Sequence, residues 1–177
     1  MNIVKLQNYF LDNYFMRLGK MVSDSFPKYV SSLTNLSANY IFDPKKLVIS
    51  FVGRIQPHKG PEVLVRAASE IICIAPQLRG KLDVAIMGDN SGSGHNELEK
   101  LKNLVKFLKL EDVVRFVPPV KREELAHWYR ASDLVCVPSY SESFGLVALE
   151  AQACGTPVIA SAVGGLRTAV ADGISGV

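Results

Sequence analysis

The chain has 177 residues, 48% apolar and 21% charged, a globular composition long enough for one domain with its own core. No apolar run approaches the ~20 residues that span a bilayer. The start, Met1-Asn-Ile-Val-Lys-Leu6, lacks the basic, apolar and cleavage regions of a secretory signal, so a cytoplasmic protein without stable membrane insertion is expected. The formal charge of +3 resides in residues 1–46, which hold six Lys/Arg against three Asp/Glu, whereas residues 47–177 hold fourteen of each; that balance, with no aromatic-interleaved basic face, excludes nucleic-acid binding.

In chain order, Ile3, Leu6, Phe10, Tyr14, Leu18 and Met21 recur at helical spacing and predict an amphipathic helix, followed by a Ser/Asn/Tyr-rich linker to residue 46. This helix either packs on the body of the protein or, being basic, touches a membrane surface or a partner. From residue 47 the pattern alternates. Strands are predicted over 47–52, 82–87, 113–117, 134–137 and 157–161. Helices are predicted over 61–75 (Val63, Leu64, Ala67, Ala68 and Ile71 on one stripe), 97–110 (Leu98, Leu101, Val105 and Leu108 inward), 122–130 and 144–154, with one helical turn over 168–171. A Gly/Ser/Asn loop fills 89–94, and 173–177 reads as a turn entering a further strand. Short-looped alternation implies a doubly wound α/β sheet of parallel strands with right-handed crossovers. Such sheets bind ligands at the carboxyl ends of their strands.

Two loops fall at those ends. The first is Gly53-Arg54-Ile55-Gln56-Pro57-His58-Lys59-Gly60, which leaves the first strand and enters a helix at Pro61. Two cations beside a helix N-terminus suit a diphosphate, and the spacing is neither that of a Walker A loop nor of the dinucleotide fingerprint. His58 is a further donor there that the pattern does not need. The second is Glu142-Ser143-Phe144-Gly145-Leu146-Val147-Ala148-Leu149-Glu150. A carboxylate before a helix N-terminus and another further along that helix suit a ligand with both phosphates and hydroxyls, such as a nucleotide sugar. Glu142 as a helix cap and Glu150 as a solvated helix residue are the plainer alternatives. No Asp-x-Asp pair occurs in the sequence, so cations and helix-end amides, not a bridging metal, would neutralise a leaving diphosphate. Cys73, Cys136 and Cys154 show no metal spacing and read as buried reduced thiols. Trp128 reads as a core anchor, and His95 and His127 as surface residues.

These two motifs resemble those of the retaining glycosyltransferases of family four, over residues 47–177, about three quarters of the chain. The resemblance implies one Rossmann-like half of a GT-B fold, the C-terminal donor-binding half, with residues 1–46 as an extra N-terminal helix and linker. Within the family, Arg54-Ile-Gln-Pro57, Val114-Arg-Phe-Val-Pro-Pro119, Tyr129-Arg-Ala-Ser-Asp133 and the run 139–157 are similar to the subfamily that transfers N-acetylglucosamine from UDP to an inositol phosphate in mycothiol biosynthesis. The resemblance then assigns roles. Arg54 and Lys59 would contact the diphosphate of UDP-GlcNAc. Glu142, the catalytic candidate, would hold donor sugar hydroxyls, and Glu150 the ribose. Amides around Phe144, Gly145 and Leu146 would cradle phosphate and sugar, and Val120 would sit where main chain reads uracil. Chemistry would need no cofactor. A magnesium ion would lie near Tyr129, Arg130, Ser132 and Thr156 by the same resemblance, with a plain helix C-terminus as the alternative. The implied reaction proceeds on one face of the sugar by internal return.

A GT-B enzyme also carries an acceptor half, and the 46 leading residues show no acceptor loop. The expectation is therefore a chain truncated at its C-terminus or one fragment of a split enzyme, partnered by a missing N-terminal half or a second copy. The alternative functions are a non-catalytic nucleotide-sugar binding module and, less well matched by the Glu142/Glu150 pattern, a nucleotide-sugar epimerase on the same fold.

Overall fold

The computed structural model describes residues 43, 45–90 and 96–177; the helix expected near the N-terminus and most of the loop expected over 89–94 lie outside the described residues. Five parallel strands form one sheet: β1 Leu47–Val52, β2 Leu82–Met87, β3 Val114–Val117, β4 Leu134–Val137 and β5 Val158–Ala160, in the order β3-β2-β1-β4-β5. The chain builds outward from β1 through β2 to β3, then crosses back to place β4 on the other side of β1, with Ile49 opposite Leu134. The strand order therefore reverses between β1 and β4. Ligands of such sheets bind at the switch point, beyond the carboxyl ends of the two strands.

Helices cover both faces: α1 Pro61–Ile74, α2 Glu97–Phe107, α3 Arg122–Ala131, α4 Leu146–Ala153 and the short α5 Leu166–Ala169. The period-two alternation of the strands sorts their side chains. Ile49, Phe51, Val84, Ile86, Leu134 and Cys136 pack with Leu64, Val65 and Ala68 of α1 and with Leu101 and Val105 of α2. Val135 and Val137 pack on the opposite face with Tyr129, Ala148 and Ala151. Val48, Ala85 and Met87 enclose Trp128, which is 1% exposed and is the core anchor its size suggested. The Arg115 guanidinium lies 5.3 Å from the centre of its ring. Backbone and side chain lock α3 to β1: Asp133 accepts the Val48 N–H at 2.8 Å and donates its own N–H to the Val48 carbonyl at 3.0 Å. Past α5, the Val177 N–H bonds the Val158 carbonyl at 3.0 Å and the Ala160 N–H bonds the Val177 carbonyl at 2.7 Å. The expected further strand thus begins to pair beside β5.

Three expectations are corrected. The fourth helix opens at Leu146 and not Phe144, because Gly145 adopts a left-handed conformation (φ 80°, ψ 37°) at its N-cap. The last helical turn lies at Leu166–Ala169 and not 168–171, since it is Gly165 that caps it, with the Ala169 N–H bonding the Gly165 carbonyl at 2.9 Å. Of the cysteines, Cys136 is buried and Cys154 half-buried, but Cys73 is exposed. It follows Ile72 at the edge of the α1 stripe, and one further step of about 100° turns it to solvent.

The loop after β1 tightens into a 3-10 turn, Pro57–Lys59, that ends at Gly60. Gly60 has φ 66°, and a Cβ there would collide with the Pro138 carbonyl of the loop after β4. The two loops touch backbone to backbone. Gly60→Ala is accordingly expected to cost about 1–2 kcal/mol from the left-handed backbone alone, and more from the collision. Gly80→Ala, where an added Cβ meets nothing within 4 Å, is the control. Urea denaturation of both variants measures the contrast, and equal losses would refute the steric explanation.

Candidate functional site

The two motif loops meet at the switch point between β1 and β4, and three contacts tie them together. The Tyr140 N–H donates to the His58 carbonyl at 2.8 Å. Gly60 lies against the Pro138 carbonyl. The Lys59 ammonium donates to Glu142 Oε2 at 2.7 Å, with the two side chains 20% and 17% exposed. Lys59 and Glu142, read from the sequence as separate diphosphate and sugar groups, therefore bind each other across the switch point.

Glu142 has further partners. Partial burial pushes its pKa up, but the hydrogen bond and charge of Lys59, together with the N–H groups of Gly145 and Phe144, outweigh that cost and hold it below its ordinary value. An ammonium from one loop thus binds a carboxylate of the other at 2.7 Å, beside the N-terminus of α4. Such an end presents unpaired N–H groups and a positive dipole. The amides read as a phosphate cradle are the groups that receive this carboxylate. Arg54 is exposed on the loop just past β1, and His58 is exposed on the 3-10 turn. On the second loop and at the start of α4, Tyr140, Phe144 and Leu146 are 63%, 65% and 60% exposed.

Glu150 occupies the second turn of α4, closer to the helix start than a helix from Phe144 would place it. It is half-buried between the buried methyl groups of Ala148 and Ala151, whereas Leu149 turns to solvent. Its Oε2 accepts the hydroxyl hydrogen of Tyr129 at 2.9 Å. Tyr129 belongs to α3 and is 2% exposed. Burial, and then the hydrogen bond and charge of Glu150, raise its pKa above the ordinary value, so the proton stays on the phenol. Sequence reasoning did not find this side-chain contact. The available signal was a tyrosine next to Trp128 on the inward stripe of α3, since a buried phenol needs a partner. Val120, at the carboxyl end of β3, packs partly buried against the cluster around Trp128.

Of the four residues associated with magnesium, three come together and Arg130 is exposed. The Tyr129 carbonyl accepts the Thr156 hydroxyl at 2.6 Å and the Ser132 N–H at 3.1 Å. The Ser132 hydroxyl donates to the Trp128 carbonyl at 2.8 Å and lies 2.6 Å from that of Ser50. The Tyr129 carbonyl and the Ser132 and Thr156 hydroxyls are neutral and hydrogen-bonded, and among the described residues no group of three or more His, Cys, Asp or Glu converges. Magnesium is usually held through one or two carboxylates. Tyr129, Arg130 and Ser132 lie at the end of α3 with Thr156 packed against it, so neutral carbonyl and hydroxyl oxygens are the donors a magnesium ion would meet there. His127 is half-buried on α3. Among the described residues no helix is long and apolar enough to cross a membrane.

Comparison with known proteins gives this geometry its family. Residues 34–177 match the family described as glycosyl transferases group 1. The chain is 62% identical over 133 residues to D-inositol 3-phosphate glycosyltransferase 2 of Catenulispora acidiphila, covering 75% of this chain and 31% of that protein. It is 58% identical over 130 residues to D-inositol 3-phosphate glycosyltransferase of Kribbella flavida, covering 73% and 31%. The chain thus spans about a third of the length of these relatives. Among solved structures, sucrose-phosphate synthase from Thermosynechococcus elongatus superposes with a TM-score of 0.68 at 38% identity, covering 85% of this chain and 34% of that one. Anabaena HepE in complex with UDP-glucose superposes with a TM-score of 0.67 at 28% identity, covering 75% and 34%. The parallel sheet, its switch-point crevice and the paired motif loops are those of one Rossmann-like half of a GT-B enzyme, and the chain belongs to the group 1 glycosyl transferases.

Proposed function

We propose that this chain is the donor-binding part of a retaining glycosyltransferase that moves N-acetylglucosamine from UDP-GlcNAc to an inositol phosphate. One observation carries the reading: beside the N-terminus of α4, Lys59 of the first loop already binds an anion, the carboxylate of Glu142, at 2.7 Å. A phosphoryl group is an anion for the same donors. On donor binding the diphosphate takes over Lys59, Arg54 closes from the exposed side, and Glu142 turns its oxygens to sugar hydroxyls. Glu150, one helical turn further along α4, meets the ribose. The named relatives support the inositol phosphate acceptor, and the HepE complex supports a UDP-sugar donor. In the chemical step, the cations and helix-end amides stabilise the charge that grows on the diphosphate as the sugar departs. The leaving phosphate oxygen accepts the proton of the incoming acceptor hydroxyl on the same face of the sugar. The protein acts in the cytoplasm.

A second reading, a nucleotide-sugar binding module that needs a partner half for turnover, is favoured by the apolar Tyr140, Phe144 and Leu146 exposed at the crevice mouth. The chain is incubated with UDP-GlcNAc and inositol phosphate, and released UDP is assayed alongside calorimetric UDP binding. Release of UDP supports transfer by the chain itself. Binding without release supports the second reading, and absence of binding overturns both.

Two predictions follow from the exchange. Arg54→Ala and Lys59→Ala should each weaken UDP binding by about 1–3 kcal/mol, the range for charge-assisted bonds. Glu142→Gln should instead leave UDP affinity unchanged or raised, because Lys59 loses its competitor, while abolishing any extra affinity of UDP-GlcNAc over UDP. Unchanged affinity in both cation variants, or a loss of UDP binding in Glu142→Gln, contradicts the assignment. The same ion pair gives a pH signature. Because the folded pKa of Glu142 is lowered, its contribution to stability is present above the ordinary value of 4.5 and is lost as pH falls below it. The difference in melting temperature between wild type and Glu142→Gln should therefore be full at pH 7 and shrink below that value. A difference independent of pH would show that the carboxylate is not held by charge.

A further inference from the structure

Glu150 offers two carboxylate oxygens, about four acceptor positions in all, and one oxygen is already committed to Tyr129 at 2.9 Å. The committing residue is unusually well held. Its ring is 2% exposed and lies in the cluster with Val135, Val137 and Ala151. Its carbonyl is held at the other end by the Thr156 hydroxyl and the Ser132 N–H. Tyr129 has only two side-chain torsions, both set by that packing, whereas a half-exposed glutamate has three and loses rotamer freedom on binding.

We propose that Tyr129 is a positioning residue: its hydroxyl fixes the rotamer of Glu150, so that the carboxylate presents its other oxygen to the vicinal hydroxyls of a nucleotide ribose. This rests on the reading of Glu150 as the ribose contact. The phenol acts through Glu150 and touches neither the ribose nor the reacting atoms. In the structure the phenol donates to Glu150 Oε2 at 2.9 Å. The position is therefore set by a contact between α3 and α4 that lies behind the crevice. It is independent of the Lys59 and Glu142 contacts that close the front.

The test compares UDP with 2′,3′-dideoxy-UDP, which lacks both ribose hydroxyls, and with inorganic pyrophosphate, by calorimetry on the 177-residue chain. Wild type should prefer UDP over the dideoxy compound by roughly tenfold or more, the range for bonds to a charged group. Tyr129→Phe, which keeps the buried ring, should reduce that preference by about fivefold, leave pyrophosphate affinity unchanged and still melt cooperatively. Glu150→Ala should abolish the preference, and adding Tyr129→Phe to it should change nothing further. If Glu150→Ala keeps the wild-type preference, the ribose reading of Glu150 itself fails. If Glu150→Ala abolishes it but Tyr129→Phe retains it in full, the positioning role fails while the ribose reading stands. If Tyr129→Phe weakens UDP, dideoxy-UDP and pyrophosphate alike, or no longer folds, Tyr129 is only part of the core and the proposal is overturned.

Discussion

The ammonium of Lys59 and the carboxylate of Glu142, 2.7 Å apart, join the loop after β1 to the loop after β4, and the arrangement of the crevice follows from that crossing. The β1–β4 pairing runs through Ser50 and Val135, and past it the loop after β1 bonds toward β2, the Gly53 N–H to the Met87 carbonyl, and not toward β4. Three different contacts replace the missing ladder: an ion pair, a backbone hydrogen bond from Tyr140 to His58, and the close seat of Gly60 against Pro138. An exposed ion pair is worth little. This one is mostly covered, so it holds one loop against the other more firmly than an exposed pair would. The geometry that results is an anion site with its own anion in place.

The second carboxylate is arranged on the opposite principle. Glu150 accepts from a buried phenol, and among the described residues no ion pair to it is found. A cation attracts whichever anion is present and can exchange one for another. A buried phenol that keeps its proton donates to the same oxygen continuously and so sets direction. Eight positions apart, the chain thus carries one carboxylate paired with a cation and one that accepts from a buried phenol, the first on a loop and the second on a helix packed against α3.

Most of the sheet was legible in the sequence because its signals are local. Each strand is a short apolar run, and each core-facing helix carries a stripe such as Leu64, Ala67 and Ala68. The errors arose where one backbone conformation or one rotation decided the outcome. Gly145 in the left-handed region moved the start of α4, and Cys73 lay one step beyond the buried stripe of α1. The motif residues were legible as a set, since loops after parallel strands must gather at one edge. Their pairings were not: Lys59 lies 83 positions from Glu142, and Tyr129 lies 21 from Glu150. Spacing along the chain carries no information about contacts made across a sheet. The resemblance assigned Tyr129 and Thr156 to a metal, and the geometry shows their carbonyl and hydroxyl bonded to each other. The helix expected before residue 43 lies outside the described residues.

On the proposed reading, the exchangeable pair has a thermodynamic consequence for donor against product. UDP that takes Lys59 leaves Glu142 without its cation, and a half-buried carboxylate without a partner is costly. A UDP-sugar takes the same ammonium but also supplies hydroxyls that donate to the released carboxylate, so the displaced partner is replaced. The same two side chains then favour the intact donor over the product, and the ion pair reforms as the product leaves. Tight binding of UDP alone would work against release, which limits turnover in many enzymes. An internal anion that competes for Lys59 lowers affinity for the fragment lacking the sugar. The ion pair seen across the crevice is thus the state to which the site returns between donors, and its strength sets how strongly the site distinguishes a donor from what remains of it.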